Sequence, residues 1–158
     1  MLNIILPLKF LHMLSMAVMF GTWLGIAMFM LFAHRYGKAP VMALISQIVV
    51  RAELWVMAGA VVLQPLVGFP LAYAIGSPID AYWLEASAVI YAGVLLVWIL
   101  NLLIEMRIRR LSKDAALAAA PLPASYRRLF WLWSLFTIAG LSGMIAIMAF
   151  MIWQPQWS

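Results

Sequence analysis

The amino-acid sequence predicts an all-α protein, a four-helix transmembrane bundle that runs up-down-up-down. Of its 158 residues, 68% are hydrophobic and only 9% are charged, whereas a soluble domain carries about a quarter charged residues. Four apolar stretches, each long enough to cross about 30 Å of hydrocarbon as a helix, are separated by three polar breaks. The short alternating segments of a membrane β-barrel are missing from the sequence.

The four spans are predicted at residues 7–33, 41–75, 82–106 and 129–153 of a single integral membrane domain, 1–158. Each break contains residues that favour turns, namely Gly37 with Pro40, Gly76 with Pro78, and Pro121 with Pro123. The alanine-rich segment 115–120 could prolong the third helix into water. Pro65 should kink the second helix, because it removes one intrahelical hydrogen bond. We expect the first span to be retained, since no basic region or cleavage site marks it as a signal peptide.

Basic residues predict the orientation. They are concentrated in the first and third breaks, as Arg35, Lys38, Arg107, Arg109, Arg110, Lys113, Arg127 and Arg128, whereas the second break carries Asp80 instead. By the positive-inside rule, loops 34–40 and 107–128 face the cytoplasm and both termini face out. Aromatic belts are expected at both interfaces, with Tyr73, Tyr82, Trp83, Trp153 and Trp157 outside and Tyr36, Tyr126, Trp131 and Trp133 inside.

Two features of the composition exclude whole classes of function. The chain has no cysteine, so disulfides, iron–sulfur clusters and thiolate chemistry are excluded. The net charge of +5 comes from residues at helix ends, where they set membrane orientation. We therefore expect a lipid bilayer and other membrane-protein subunits as partners, and no nucleic acid.

A few polar side chains inside the spans carry the functional hypothesis, because such residues are costly in lipid. His12 lies one to two turns into the first helix, and Gln64 and Glu85 lie at similar depth on the second and third. We predict that His12, Glu85 and Gln64 form a cofactor site, with His12 as a metal ligand and one b-type haem as the cofactor. A proton relay, a quinone site or a purely structural hydrogen bond are the alternatives for His12.

The second haem ligand cannot be the other histidine of the same chain. His34 lies about 33 Å from His12 along the same helix. A methionine, Lys9, water or a residue of another subunit would have to serve instead. His34 is expected to cap its helix and to meet lipid headgroups.

Other polar and small residues are given structural interpretations. Arg51 and Glu53, two residues apart, face different ways, and we expect both near the inner interface. Arg51 should snorkel there and pair with Glu105. Asn101 is interpreted as an interhelical hydrogen-bonding residue. Small residues four apart, which let helices approach closely, occur at Gly21 with Gly25, at Ala88 with Ala92 and at Ala139 with Gly143.

Short motifs along nearly the whole chain resemble a bacterial family of four-helix integral membrane proteins with no assigned function, domain of unknown function 2269. They are the segments 9–12, 20–25, 50–53, 64–68, 83–84 and 126–130. The resemblance implies the same four-span topology in a bacterial cytoplasmic membrane, and it brings no activity.

A more distant similarity is to the four-helix membrane protoporphyrinogen oxidases and to copper-resistance-type membrane domains. The oxidases also begin with Lys-x-x-His on the first helix, and that histidine is implicated in haem binding. Only Lys9 and His12 carry over. The oxidase activity is not transferred, because those proteins have a basic residue in the third span, where this chain has Glu85.

Together these observations predict a small membrane protein of a redox or respiratory system that binds one b-type haem through His12. The alternative is a non-catalytic accessory subunit or assembly factor of a larger membrane complex. Whether the chain is an enzyme is left open.

Overall fold

Four long helices make up the computed structural model, which describes residues 2–78 and 81–154, with their side chains from residue 4 onward. They are α1 (Leu2–Tyr36), α2 (Ala39–Ala74), α3 (Tyr82–Leu117) and α4 (Ala124–Trp153). Each is long and apolar enough to cross a membrane, and the described residues contain no strand. The prediction of an all-α, four-helix transmembrane bundle is confirmed.

The helices extend beyond the predicted spans. The alanine-rich segment does prolong α3, which ends at Leu117, so the third connection shrinks to residues 118–123. Gly37 and Gly76 follow the ends of α1 and α2 with φ of +72° and +71°, a conformation that glycine adopts without steric cost. Asp80 and Trp157, used above for orientation and the aromatic belt, lie outside the described residues.

The helices form a closed ring in which each packs against its neighbours in sequence and α4 packs back on α1. We call the end of the bundle that holds connections 37–38 and 118–123 the basic end. The opposite end, where α1 begins and α4 ends, is the terminal end.

The interior consists of two apolar clusters with polar side chains between them. The cluster at the basic end includes Met30, Met42, Ile108 and Phe130, and the other includes Met19, Trp23, Met57 and Met144. Between them lies a polar layer, which we define as the buried residues Glu53, Asn101, Glu105 and Thr137.

Helix α2 departs from α geometry where it meets the polar layer. Residues Glu53–Met57 form a π-helical turn, in which the Ala58 N–H bonds to the Glu53 carbonyl. Glu53 and Met57 are buried, whereas the residues between them, 54–56, are exposed. Such π turns frequently occur at functional sites.

Helix α2 continues through Pro65 to Ala74, and the kink expected at Pro65 stays a prediction. Pro65 has no N–H, so the carbonyl of Val61, four residues earlier, loses its intrahelical donor. The Tyr91 hydroxyl of α3 donates to that carbonyl at 2.6 Å. This bond ties α3 to α2 beside Pro65.

Only some of the small-residue pairs mediate helix contacts. A Cβ at Gly143 would lie 2.6 Å from Val94 Cγ2, and one at Gly140 would overlap the Trp23 indole. These glycines let α4 approach α3 and α1. In contrast, a Cβ at Gly21 or Gly25 would meet nothing within 4 Å, so neither glycine is required for a close helix contact within the described chain.

The aromatic belts are only partly as predicted. Tyr73 and Trp153 at the terminal end, and Trp131 at the basic end, are exposed. Trp83, Tyr126 and Trp133 are buried instead. The periodicity of each helix turns these three side chains toward the bundle interior, where they fill the core rather than contact lipid headgroups.

Candidate functional site

A cavity of about 530 Å³ opens among the four helices at the terminal end. Its wall is mostly apolar, with residues such as Ile5, Leu71 and Ile147. A few polar side chains also line it, namely Lys9, His12, Gln64, Ser87, Tyr91 and Gln154. A cavity of this size, largely apolar with a few convergent polar groups, is the usual form of a small-molecule site.

His12 and Gln64, predicted to belong to one site, do come together. The Gln64 side-chain amide lies 3.3 Å from His12 Nε2, and it also contacts the Ser15 hydroxyl. Ser15 Oγ in turn lies 3.0 Å from the backbone carbonyl oxygen of His12. Ser15 was missed in the sequence, although it lies three residues after His12 and therefore on the same face of α1.

The single hydroxyl hydrogen of Ser15 has two acceptors within reach. Ser15 Oγ donates to Gln64 Oε1 and also lies against the His12 carbonyl oxygen. Gln64 Nε2 faces His12 Nε2 at 3.3 Å, and the donor in this contact depends on the imidazole tautomer and the amide orientation. Nδ1 is buried and has no hydrogen-bond partner.

Gly68 keeps the Nδ1 edge of the ring clear of side chains. A Cβ at this position would lie 2.9 Å from His12 Cε1 and 3.2 Å from Nδ1, closer than normal van der Waals contact. The glycine also lines the cavity. The orientation of the imidazole therefore depends on the Gln64 contact at Nε2 and on the space that Gly68, which has no Cβ, leaves beside Nδ1.

The structure does not bring Glu85 to this network. Its side chain is exposed in the first turn of α3, and the cavity is lined by its neighbours Leu84 and Ser87 instead. The predicted role of Glu85 in cofactor binding stays a prediction without support from this geometry.

Comparison with protein families identifies the chain at the level of the family alone. The model of the family described as "Predicted integral membrane protein (DUF2269)" matches residues 6–155. The chain belongs to this family. No curated protein and no solved structure matches the chain. Membership of the DUF2269 family confirms the resemblance noted in the sequence and the membrane location, and it assigns no activity.

The side chains of Glu53 and Glu105 form a second buried polar group in this DUF2269 protein. The ion pair predicted for Glu105 is not formed. Glu105 was expected to pair with Arg51 at the interface. Instead, Glu105 Oε1 accepts a hydrogen bond from Trp133 Nε1 at 2.6 Å, and Arg51 is exposed. Glu53, whose side chain is 0% exposed, accepts from Trp98 Nε1. Glu53 lies three and four residues after the buried Val50 and Val49, so it is on the face that α2 turns to the bundle, whereas Arg51 is on a different face.

His34 also differs from its predicted role. Its ring stacks on Phe130, with centroids 3.8 Å apart, and Nδ1 lies 2.8 Å from the Tyr126 hydroxyl. The first turns of α4 begin beside the end of α1 and half-bury the imidazole. His34 therefore joins two helices at the basic end, and its contact with lipid headgroups stays a prediction.

The described residues contain no group of three or more His, Cys, Asp or Glu side chains that could hold a metal ion. A metal at His12 would therefore need other ligands, such as a macrocycle and a methionine. Met13, Met151 and Lys9 line the same cavity. Of these, Met13 and Lys9 lie on the same helix as His12, whereas Met151 lies on α4.

Proposed function

We propose that this chain is a small membrane component of a redox or respiratory system and that it binds one b-type haem in the cavity beside His12. The observation that carries the proposal is the buried, unpartnered Nδ1 of His12, on a half-buried ring that borders a mostly apolar cavity. Neutral imidazole is a common axial ligand of haem iron.

The surroundings of His12 are those of a metal-binding histidine. Such residues almost always donate their other ring N–H to a fixed acceptor, which holds the tautomer and the ring orientation. Gln64 lies at Nε2 and contacts Ser15, and it would serve this purpose with its amide oxygen turned to Nε2. The apolar wall would keep water from the macrocycle.

Met151 is proposed as the second ligand. A second ligand on another helix would suit His12 better than Met13 or Lys9, which share its helix. Met151 supplies such a thioether from α4, and the combination of histidine and methionine is known for haem. When bound, the haem would supply one-electron transfer, while the chain's residues hold and orient it.

The absorption spectrum of the purified protein tests the proposal. Supplied with haem in mild detergent, the protein should develop a Soret band, and His12→Ala should abolish it. His34→Ala is the matched control and should keep the band, because His34 lies at the basic end. Met151→Leu should keep the haem but change its ligand-field bands. A folded wild-type protein that stays colourless would contradict haem binding.

The alternative proposal is an accessory subunit or assembly factor of a membrane complex. It is supported by Gly21 and Gly25, a small-residue pair on α1 that meets no neighbour within 4 Å and offers a close-approach face to another transmembrane helix. A stoichiometric partner should copurify under gentle extraction and be lost in Gly21→Leu. A monodisperse protein that retains no partner would count against this alternative.

A further inference from the structure

The polar layer contains three buried oxygen atoms without hydrogen-bond partners. Glu53 and Glu105 each accept one indole N–H, from Trp98 and Trp133, and this leaves Glu53 Oε1 and Glu105 Oε2 unpaired. The third is Asn101 Oδ1. All three side chains are 0% exposed. A buried acceptor left unpaired costs about 1–3 kcal/mol, so three in one layer call for a physical explanation.

The three residues lie close together. Trp98, Asn101 and Glu105 lie at i, i+3 and i+7 on one face of α3. The hydrogen bond from Trp98 places Glu53 of α2 on that face. Asn101 and Glu105 are four residues apart on α3 and therefore neighbours on one helix face. The Asn101 amide nitrogen donates to Thr137 Oγ1 of α4 at 3.0 Å, so its oxygen points away from that contact.

No counter-charge reaches this layer. Arg51 on α2 and Arg107 on α3 are exposed. The sequence has no charged residue between His12 and His34 of α1, and none after Arg128 in α4. Arg109, one turn after Glu105 on α3, is half-buried. Neither carboxyl accepts a bond from a cation, because each has one oxygen on an indole N–H and one without a partner.

A hydrocarbon slab centred on α2 would include Glu53. Helix α2 has 36 residues and is therefore about 54 Å long, and Glu53 lies about 21 Å from its first residue. A hydrocarbon slab of about 30 Å, centred on such a helix, begins about 12 Å from each end. Two ionised carboxylates at this depth, close together and without a cation, would be prohibitively costly.

We propose that Glu53 and Glu105 form a proton-binding site in the bundle interior, with Asn101 as an additional acceptor. Protonation of one carboxyl turns its unpaired oxygen into an O–H donor, which bonds to the other carboxylate, and the pair then carries one negative charge. Protonation of the second carboxyl gives an O–H that bonds to Asn101 Oδ1, and the pair is then neutral. Trp98 and Trp133 hold the remaining two oxygens, because an indole N–H can donate but not accept.

A metal ion suits the layer less well. Mg²⁺ takes octahedral coordination and Ca²⁺ takes about 6–8 oxygen ligands, whereas the layer offers three free oxygens. The proton site involves no residue that lines the His12 cavity, so it stands or falls independently of haem binding.

Infrared spectroscopy of the whole protein tests this site, because the chain has only five acidic residues. At neutral pH the wild-type protein should show the C=O stretching band of a protonated carboxyl, shifted in D₂O. The double variant Glu53→Gln/Glu105→Gln should lose the band. Asp114→Asn, a change at an exposed carboxyl, should keep it. Glutamine retains an acceptor for each indole, so the double variant should fold, as circular dichroism and gel filtration would show.

Three results would overturn the proposal. The first is a folded wild-type protein without a protonated-carboxyl band. The second is a band that survives unchanged in the double variant or, should that variant not fold, in both single variants. The third is stoichiometric Mg²⁺ or Ca²⁺, found by elemental analysis, that disappears with Glu105→Gln.

Discussion

The His12 cavity and the polar layer both hold buried polar side chains, yet they differ in the space around them. At His12, the polar network borders about 530 Å³ of mostly apolar cavity, and one ring nitrogen is free. In the polar layer, the side chains of Glu53, Asn101 and Glu105 are 0% exposed and lie between two packed apolar clusters. The cavity has room for a molecule, whereas the layer is suited to a proton.

This difference shows that the role of a polar residue inside a membrane span depends on whether a cavity or packed side chains surround it. Both regions satisfy the rule that intramembrane ionisable residues are costly and often functional. In the cavity, loss of a polar group should change ligand binding more than stability. In the polar layer, where indole and carboxyl support each other, loss of a group should destabilise the whole bundle.

The largest effect on stability is expected from Glu105→Ala. This change leaves the Trp133 N–H without its acceptor and leaves a void in the packed layer, so the free energy of unfolding should fall by about 2–5 kcal/mol. Glu105→Gln, which keeps the acceptor and the volume, should cost less than about 1 kcal/mol. Unfolding in mixed detergent micelles measures both. Equal losses in the two variants would show that the carboxyl itself, and not its shape, stabilises the layer.

Trp133→Phe should have the next largest effect, about 1–3 kcal/mol, because Glu105 Oε1 would lose its donor in a buried environment. Trp131→Phe provides a matched control two residues away, since Trp131 is 68% exposed and should cost less than about 0.5 kcal/mol. Chemical denaturation in detergent compares the two variants. Similar stabilities would indicate that the indole hydrogen bond contributes little.

In the cavity, Gly68→Ala should displace the His12 ring, because the new Cβ would lie 2.9 Å from Cε1. We expect a loss of about 1–3 kcal/mol from overpacking and, if haem binds there, a weaker Soret band. Gly59→Ala is the control on the same helix: its Cβ meets nothing within 4 Å, and it should be neutral or slightly stabilising. A Gly68→Ala variant as stable as Gly59→Ala would contradict the contact.

The smallest effect is expected from Tyr91→Phe at the cavity wall. It removes the hydroxyl that donates to the Val61 carbonyl, which has no other donor because of Pro65. The expected cost is about 0.5–1.5 kcal/mol. Replacing Pro65 with Ala restores the backbone donor, so Tyr91→Phe should cost less in a Pro65→Ala background, as a double-mutant cycle would measure. Additive changes would rule out this compensation.

Much of the fold could be predicted because it depends on length and hydropathy. The four spans and the continuation of α3 through its alanine-rich end follow from local composition. The approach of His12 to Gln64 also followed, since both were placed at similar depth. Ser15 and Gly68 could not be assigned to the site in the same way, because small residues occur throughout these helices and only contacts between helices distinguish them.

The carboxyl pair shows where local reasoning fails. An Arg at one interface and a Glu on a neighbouring helix suggested an ion pair, because opposite charges attract. The buried face of α2 runs through Val49, Val50 and Glu53, but the sequence does not show which residues of the neighbouring helices that face meets. Trp98 and Trp133 resemble ordinary lipid-facing aromatic residues in the sequence. In the structure their indole N–H groups donate the hydrogen bonds that Glu53 and Glu105 accept.

By itself, then, the sequence determined that this protein crosses a membrane four times as helices, because a bilayer imposes both the length and the apolar composition of any segment that spans it. Only the tertiary structure decided which polar atoms meet and which of them stay unpaired. Hydropathy is a sum over residues, whereas a hydrogen bond between two helices depends on the rotation and depth of both.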